Sequence, residues 1–555
     1  VIFRVWAPVP TRVELDLAGR VVPMTRDDRG WWSVDVPDAG PGTEYGFRLD
    51  GGDPRPDPRS PSQPEGVHGP SRVVDHDDFP WTDQSWTGAH LPSAVLYELH
   101  VGTFSDEGTF DGAIQHLEHL VELGVTAVEL LPVAEFAGDR GWGYDGVDLY
   151  APHSAAGGPD GLKRFVDAAH RQGLAVVLDV VYNHLGPEGN YLASYGPYFT
   201  DFFDTPWGDA VNYGRAQSDE VRRFALDNAR MWLRDYHVDG LRLDAVHAII
   251  DTSAVHLLEQ LAAEVEELGA VVGRPLFLIA ESDLNDTRLL RPREVGGYGL
   301  DAQWSDDFHH ALRTTVTDER RSYYADFDGL PDLAATLERG WPHAGRWSPF
   351  RQRTHGRPYD RPGWQLLGYA QNHDQVGNRA RGDRLSQVLP LDLLQVVAAL
   401  VLTAPFVPML FQGEEWGATT PFQYFTSHTD PALGRAVSEG RRHEFEEFGW
   451  SPDEVPDPQD PATFDRSKLR WAERDGGDHA VLLRWYKALI HLRRATPDLL
   501  DGRLDRVRAQ ADATAGTLVV RRGAITVAAA LGDAPVPPVP GEVLLAADRV
   551  RITRS

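Results

Sequence analysis

The chain has 555 residues, 42% hydrophobic and 25% charged, ordinary values for globular proteins and enough length for two to four domains. Its 54 Lys and Arg against 83 Asp and Glu leave a net charge of −29, which argues against nucleic acid or an anionic membrane as partner, because phosphate binding needs a basic surface. There are no cysteines, so disulfides, thiolate metal sites and Cys nucleophiles are excluded and an intracellular, cytoplasmic setting is expected. No run approaches the ~18 apolar residues that span a membrane, and since the first residue is Val1 the lack of a leader carries little weight.

Residues 1–50 alternate apolar and polar, as in Val13-Glu-Leu-Asp-Leu17 and Trp31-Trp-Ser-Val-Asp-Val36, with turn signals at Asp28-Arg-Gly30 and Gly40-Pro-Gly42. This is the pattern of a small antiparallel β-sandwich. The stretch 53–64, with a proline at nearly every second position, reads as a linker over the surface. From residue 94 the pattern becomes strand–helix alternation. Strands are expected at 94–100, 125–131, 174–181, 241–243, 276–280, 303–304, 366–370 and 409–411, with helices at 113–123, 162–172, 219–235 and 255–268 between them. Eight strands in this alternation fit a (β/α)8 TIM barrel with long loops. A doubly wound open sheet is the alternative, but no Gly-rich phosphate loop follows the first strand. The segment 419–465, with Phe422, Tyr424, Phe425, His428 and Trp450, is too long for a plain connector and reads as functional. A helix at 481–494 leads into a second alternating tail, read as a C-terminal β domain. The expected units are 1–85 (β-sandwich and linker), 86–480 (barrel with insertions) and 481–555 (helix and β domain).

Four of the apolar strands run into polar groups: Asp179-Val-Val-Tyr-Asn-His184, Gly240-Leu-Arg-Leu-Asp244, Ile279-Ala-Glu-Ser-Asp283 and Gln371-Asn-His-Asp374. Burying unpaired charge is costly, and the carboxyl-terminal rim of a parallel barrel is where active sites sit. Asp244, Glu281 and Asp374 therefore form a candidate acid cluster at three strand ends. Two facing acids are what glycosidic hydrolysis needs: one protonates the leaving oxygen, the other attacks the anomeric carbon or activates water. Arg242 shares the strand face of Asp244 and would hold it ionised. Glu281, after the apolar run 276–280, is the better candidate for a raised-pKa acid.

These segments, with Ala-Val-His247 after Asp244, resemble the four ordered conserved regions of the α-amylase superfamily, glycoside hydrolase family 13. The resemblance covers the whole barrel. It implies Asp244 as nucleophile, Glu281 as acid/base and Asp374 as transition-state stabiliser in a retaining mechanism. It also implies His184, Arg242 and His373 as ligands of the sugar at the cleavage subsite and Tyr144, in Gly141-Trp-Gly-Tyr-Asp145, as its stacking platform. Tyr97-Glu-Leu-His-Val-Gly-Thr-Phe104, Ala280–Asp286, Gln371–Arg379, Phe411-Gln-Gly-Glu-Glu-Trp-Gly417, Phe422-Gln-Tyr-Phe-Thr426 and Gly440–Phe445 are similar to segments of the trehalose-releasing members of that superfamily. That similarity implies maltooligosyltrehalose and maltooligosaccharides as substrates, with His247, Asp283 and Gln375 among the substrate-binding residues. Ser427 stands where an acidic residue is expected.

The resemblance implies no cofactor. Asn183 could act as a calcium ligand as in many relatives, but no calcium spacing is evident and no metal is expected to be required for catalysis. The rival activities are a glucan branching enzyme, a glycan-binding protein with a dead barrel, and a metal-dependent barrel hydrolase using His184 and His373. The histidines lack an H-x-H or H-E-x-x-H pairing. A monomer or homodimer is expected.

Overall fold

A computed structural model describes residues 1–447, 451 and 454–555; Trp450, singled out above, lies outside the described residues. Eight parallel strands close into a barrel in chain order: Leu96–Leu99, Ala127–Leu130, Ala175–Val180, Gly240–Leu243, Phe277–Ala280, Ala302–Trp304, Leu366–Gly368 and Val407–Phe411. The eighth strand closes on the first, with Leu410 opposite Tyr97. All eight coincide with the segments expected from the sequence. Because side chains alternate along a strand, each presents one row to the barrel interior. Leu96, Ala127, Val177, Phe277, Ile279 and Trp304 fill the interior with apolar atoms. One residue pair higher on the same face stand Glu98, Glu129, Asp179 and Arg242, all buried. The barrel is thus packed with carbon below and with charge at its carboxyl-terminal layer.

The helices differ from expectation in detail. The one expected at 113–123 is two, Phe110–Ile114 and Leu117–Leu123. The first is capped by the Thr109 hydroxyl, which accepts from Gly112 N–H at 3.1 Å, and the break falls at His116, whose ring stacks on Trp471 at 3.8 Å. The helices after the third and fourth strands, Ser218–Asp235 and Leu257–Val272, each bury one face on the barrel, and Asp306–Thr317, after the sixth, is buried along most of its length. Asp306–Thr317, Leu330–Arg339 and Leu391–Thr403 have no counterpart in the sequence reading.

The N-terminal region forms two small antiparallel sheets. One pairs Ile2–Trp6 with Trp31–Asp35; the other runs through Arg20–Pro23, Val13–Leu17 and Glu44–Leu49. The proline-rich stretch is not wholly irregular. Pro54–Arg55 adds an edge strand to Glu44–Leu49, and Ser71–Arg72 pairs with its first residues; proline is tolerated at such an edge because one side needs no donor.

At the other end, five antiparallel strands between Val507 and Arg554 make a sheet that follows helix Gly477–Ala495. The sheet and helix are fastened to the barrel through the carboxyl end of helix Leu391–Thr403. The last carbonyls of a helix have no partner within it. Here Arg493 donates to the carbonyls of Leu402, Ala404 and Phe406 at 2.9, 3.0 and 2.6 Å, and Arg522 donates to Thr403 and Ala404 at 2.6 and 2.8 Å. Two buried guanidinium groups also complement the negative end of the helix dipole. Replacing Arg522 by Met strands these acceptors away from water. A loss of roughly 1–3 kcal/mol of stability is expected, read as a lowered urea midpoint, with turnover per folded molecule unchanged.

Candidate active site

The site is built around Arg242, which is fully buried on the fourth strand. Its Nη1 donates to Asp179 Oδ2 and to Asp244 Oδ1, both at 2.7 Å. Its Nη2 lies 3.8 Å from Glu281 Oε2, within ion-pair range. The flat face of the guanidinium covers the Trp304 ring at 4.2 Å. Burial alone would lower the Arg242 pKa, but Asp179, Tyr144, Asp244 and Glu281 outweigh it and hold the group charged. One cation therefore serves carboxylates from the third, fourth and fifth strands.

Asp244 is fixed from both sides. Arg242 holds Oδ1, and the Asn183 amide donates to Oδ2 at 2.7 Å and to the Asp244 carbonyl at 2.9 Å. Both of its carboxyl oxygens accept, one from Arg242 and one from Asn183. Glu281 differs. Burial pushes its carboxyl well above the usual range; Arg242 pulls the other way, and Asp244, Asp306 and Asp374 add to the rise. Its Oε2 accepts the Ala245 N–H at 2.5 Å. That donor is aimed by a left-handed turn, since Ala245 has φ 38 and ψ 51, a conformation that costs a non-glycine residue roughly 1–2 kcal/mol. The residue after Asp244 thus orients Glu281, and the two carboxyls straddle one guanidinium.

Above them lie the remaining ring contacts. Tyr144 OH donates to Asp179 Oδ2 at 2.6 Å and meets His373 Nε2 at 2.8 Å, with its ring stacked on that of His373. Burial and the neighbouring Asp179 keep this phenol protonated, far above its ordinary pKa. His184 Nδ1 meets Asn183 Oδ1 at 2.5 Å and Nε2 meets the Tyr144 carbonyl at 3.0 Å. Burial pulls the His184 pKa down, against Asp244, the Tyr144 carbonyl and Asp145. Asp374, half exposed, lies 3.5 Å from His373 Nε2. Asp179 is pushed up to about 6 by burial, against the pull of Arg242.

Of the ten residues singled out in the sequence, seven come together here: Tyr144, His184, Arg242, Asp244, Glu281, His373 and Asp374. The other three stand farther along the rim. Asp283 is ion-paired with Arg351 of the hairpin that contains Arg353–His355. His247 is exposed on the turn Val246–Ala248. Gln375 accepts from the hydroxyls of Tyr323 and Tyr324 at 3.2 and 3.4 Å. Ser427 accepts the N–H groups of Asp139 and Arg140, both at 2.8 Å, so its hydroxyl ties the 419–465 segment to the loop after the second strand. Among the described residues no group of three or more His, Asp or Glu side chains is placed to hold a metal, and both ends of the Asn183 amide are committed to Asp244 and His184.

Sequence reasoning assigned no role to Asp179, although it opens the segment ending in His184, nor to Glu98, Glu129 and Trp304. An acid in the middle of an otherwise apolar barrel strand, as in Tyr97-Glu-Leu99 and Val128-Glu-Leu130, was the available signal. Trp207, exposed on a hairpin and stacked on His184 at 4.5 Å, had none.

A closed parallel barrel with three acids at its carboxyl-terminal rim and an N-terminal sandwich is the architecture of α-amylase-type glycoside hydrolases. In keeping with this, the profile of the α-amylase catalytic domain matches residues 73–207 and that of carbohydrate-binding module 48, the isoamylase N-terminal domain, matches residues 1–63. A solved structure of a putative α-amylase from Salmonella typhimurium superposes with a TM-score of 0.92 at 40% identity, covering 100% of this chain and 97% of that one. Within the class, malto-oligosyltrehalose trehalohydrolases from Arthrobacter ramosus and Mycobacterium tuberculosis are 55% and 52% identical, over 99% and 98% of this chain and 96% and 95% of theirs. A branching enzyme from Photobacterium profundum is 31% identical over 54% of this chain and 47% of its own. The chain belongs to the malto-oligosyltrehalose trehalohydrolase family of the α-amylase class.

The dependence of the site on one cation is testable. Arg242→Met leaves Asp179 and Asp244 buried without their counter-charge, at an expected cost of roughly 3–5 kcal/mol. Asp179 already binds its proton more tightly folded, at about 6, than the ordinary 3.8. Without Arg242 that folded pKa rises further, so the variant gains stability relative to wild type as pH falls toward about 6 from above and loses it as pH rises. Urea unfolding at several pH values reads this; a deficit that is the same at every pH would contradict it.

Proposed function

We propose that this protein hydrolyses the α-1,4-glucosidic bond next to the terminal trehalose unit of maltooligosyltrehalose, with retention, releasing trehalose and a maltooligosaccharide. The observation that carries the reading is the Asp244–Arg242–Glu281 arrangement: an acid surrounded by donors beside an acid whose pKa is raised, bridged by a single guanidinium. An acid held by donors on both oxygens beside a buried acid of raised pKa suits the division of glycosidic cleavage between a nucleophile and an acid/base.

Asp244 Oδ attacks the anomeric carbon of the glucose that precedes trehalose, while protonated Glu281 delivers its proton to the departing oxygen, which leaves as the 4-hydroxyl of trehalose. The maltooligosyl group is then esterified to Asp244. Glu281, now ionised, takes a proton from water, which attacks the same carbon and frees Asp244. Tyr144, His184, Arg242, His373 and Asp374 surround the sugar undergoing reaction, with Asp374 placed to offset the positive charge that develops on the ring. His247, Asp283 and Gln375, farther along the rim, are assigned to the flanking subsites. The names of the relatives support trehalose as the released sugar, and the cysteine-free composition supports a cytoplasmic role in trehalose formation. The units 1–85, 86–480 and 481–555 are the sandwich, the catalytic barrel and the C-terminal β domain of this enzyme.

Glu281→Ala is expected to lower trehalose release from maltotriosyltrehalose by about 10²–10⁴-fold, measured by chromatography of the products. With maltosyl fluoride, whose leaving group needs no proton, the first step persists and the glycosyl-enzyme accumulates as a mass increment on the intact protein. Added azide then gives the α-glycosyl azide. An undiminished rate on the natural bond would remove Glu281 from its role. Products carrying α-1,6 linkages from the wild-type enzyme would favour the branching reading instead.

A further inference from the structure

His373 reaches the reacting sugar's side of the site through Nε2, yet nothing in the reaction scheme above explains its state. Its other ring nitrogen faces the first barrel strand. There Glu98 Oε1 lies 2.5 Å from His373 Nδ1, and Glu98 Oε2 accepts the His373 backbone N–H at 2.9 Å. Both side chains are 1% exposed. The two-point contact fixes the ring plane and dictates that Nδ1 carries a hydrogen. Nε2 then faces Tyr144 OH at 2.8 Å and Asp374 Oδ1 at 3.5 Å.

We infer that Glu98 is a positioning residue for the reaction: it keeps His373 an imidazolium whose Nε2–H is donated to the Tyr144 hydroxyl, with Asp374 beside it, on the side of the site where the sugar ring reacts. The inference rests on the glycosidase reading of this site. Charge-assisted hydrogen bonds are roughly twice as strong as neutral ones. A donor of this kind therefore acts most where hydroxyls and carboxylates of the reacting centre become better acceptors, in the transition state.

The groups around His373 fit this role. Glu129, the register partner of Glu98 on the second strand, is buried with neither oxygen hydrogen-bonded. Burial first, and the adjacent Glu98 second, push its carboxyl well above the usual range. Glu129 makes no hydrogen bond to the ring, and Glu98 is the carboxyl that meets Nδ1 and the backbone N–H of His373. Arg242 and His100 oppose a charge on His373, whereas Asp374 and Glu98 favour it; Trp142 and Trp304 contribute ring contacts only. Burial by itself lowers the His373 pKa, but Asp374 and Glu98 overcome it and raise it to about 9. The charged form accordingly prevails through neutral pH and is lost as pH rises through that value.

Glu98→Gln keeps the shape and removes the charge. Trehalose release from maltotriosyltrehalose should show kcat reduced about 10–100-fold near pH 8 with KM little changed, because the lost interaction belongs to the transition state. As pH falls to about 5.5 the ring protonates without help and the deficit should shrink to a few-fold. Glu98→Asp, which keeps the charge, should restore the wild-type alkaline limb. A deficit equal at all pH values, or wild-type kcat near pH 8, would overturn the inference. Independently of any substrate, nitrogen-15 NMR of histidine-labelled wild-type protein, with His373 assigned by its loss in His373→Gln, should show both ring nitrogens protonated at neutral pH. A neutral His373 in that spectrum sinks the proposal even if Glu98→Gln does not fold. A protonated His373 in a protein that releases no trehalose would instead count against the substrate reading and leave the placement of the proton standing.

Discussion

The buried guanidinium of Arg242 is the constraint on which the rest depends. A single cation inside a barrel is unstable without counter-charges, so its presence on the fourth strand requires acids on the neighbouring strands. They are there: Asp179 on the third, Asp244 at the end of the fourth and Glu281 at the end of the fifth. Asp179 and Asp244 take the short bonds from Nη1, whereas Glu281 lies 3.8 Å from Nη2, so the three acids share the cation unequally. Asp244 has direct bonds from Arg242 and Asn183, whereas Glu281 has only the longer approach and a backbone donor. The same inequality distinguishes a group that attacks from a group that carries a proton. Catalytic division of labour here follows from the distribution of distances around one side chain.

The rest of the fold holds that arrangement rigid. Seven of the residues at the site sit at strand ends or on the turns that leave them, and the strand register fixes their relative heights. The C-terminal sheet closes the exposed carbonyls of helix Leu391–Thr403, which precedes the eighth strand, and that strand pairs with the strand bearing Glu98. The 419–465 segment is tied back to the loop after the second strand by Ser427, and to Glu188 by Thr429. Loops from both halves of the barrel are therefore pinned to the rim that carries the acids.

Most of the framework was legible in the sequence because its signals are local. Short apolar runs alternating with helical stretches marked the strands of the barrel, four of them ending in polar groups, and alternation marked both β domains. The acids at strand ends were readable because burying them without purpose is costly. What stayed hidden has a common cause: it depends on what lies opposite in space. Glu98 and Glu129 look like isolated polar interruptions until the barrel closes and puts them side by side below His373. Asp179 gains a role only when Arg242, sixty-three residues later, lies beside it. The helix break at His116 is set by Trp471, from the far end of the barrel. Proline density misled about 53–64 because an edge strand needs only half of its hydrogen-bonding groups.

The turn at Ala245 has a consequence for how this protein can change. Its left-handed backbone would be relaxed by glycine, yet the position carries a methyl group that narrows the accessible conformations around the donor facing Glu281. A substitution that makes the native chain more comfortable would also widen the range of angles at which that N–H points. Backbone ease and the aim of that donor are therefore opposed at one dihedral: the strain held at Ala245 is the cost of a narrowly directed N–H.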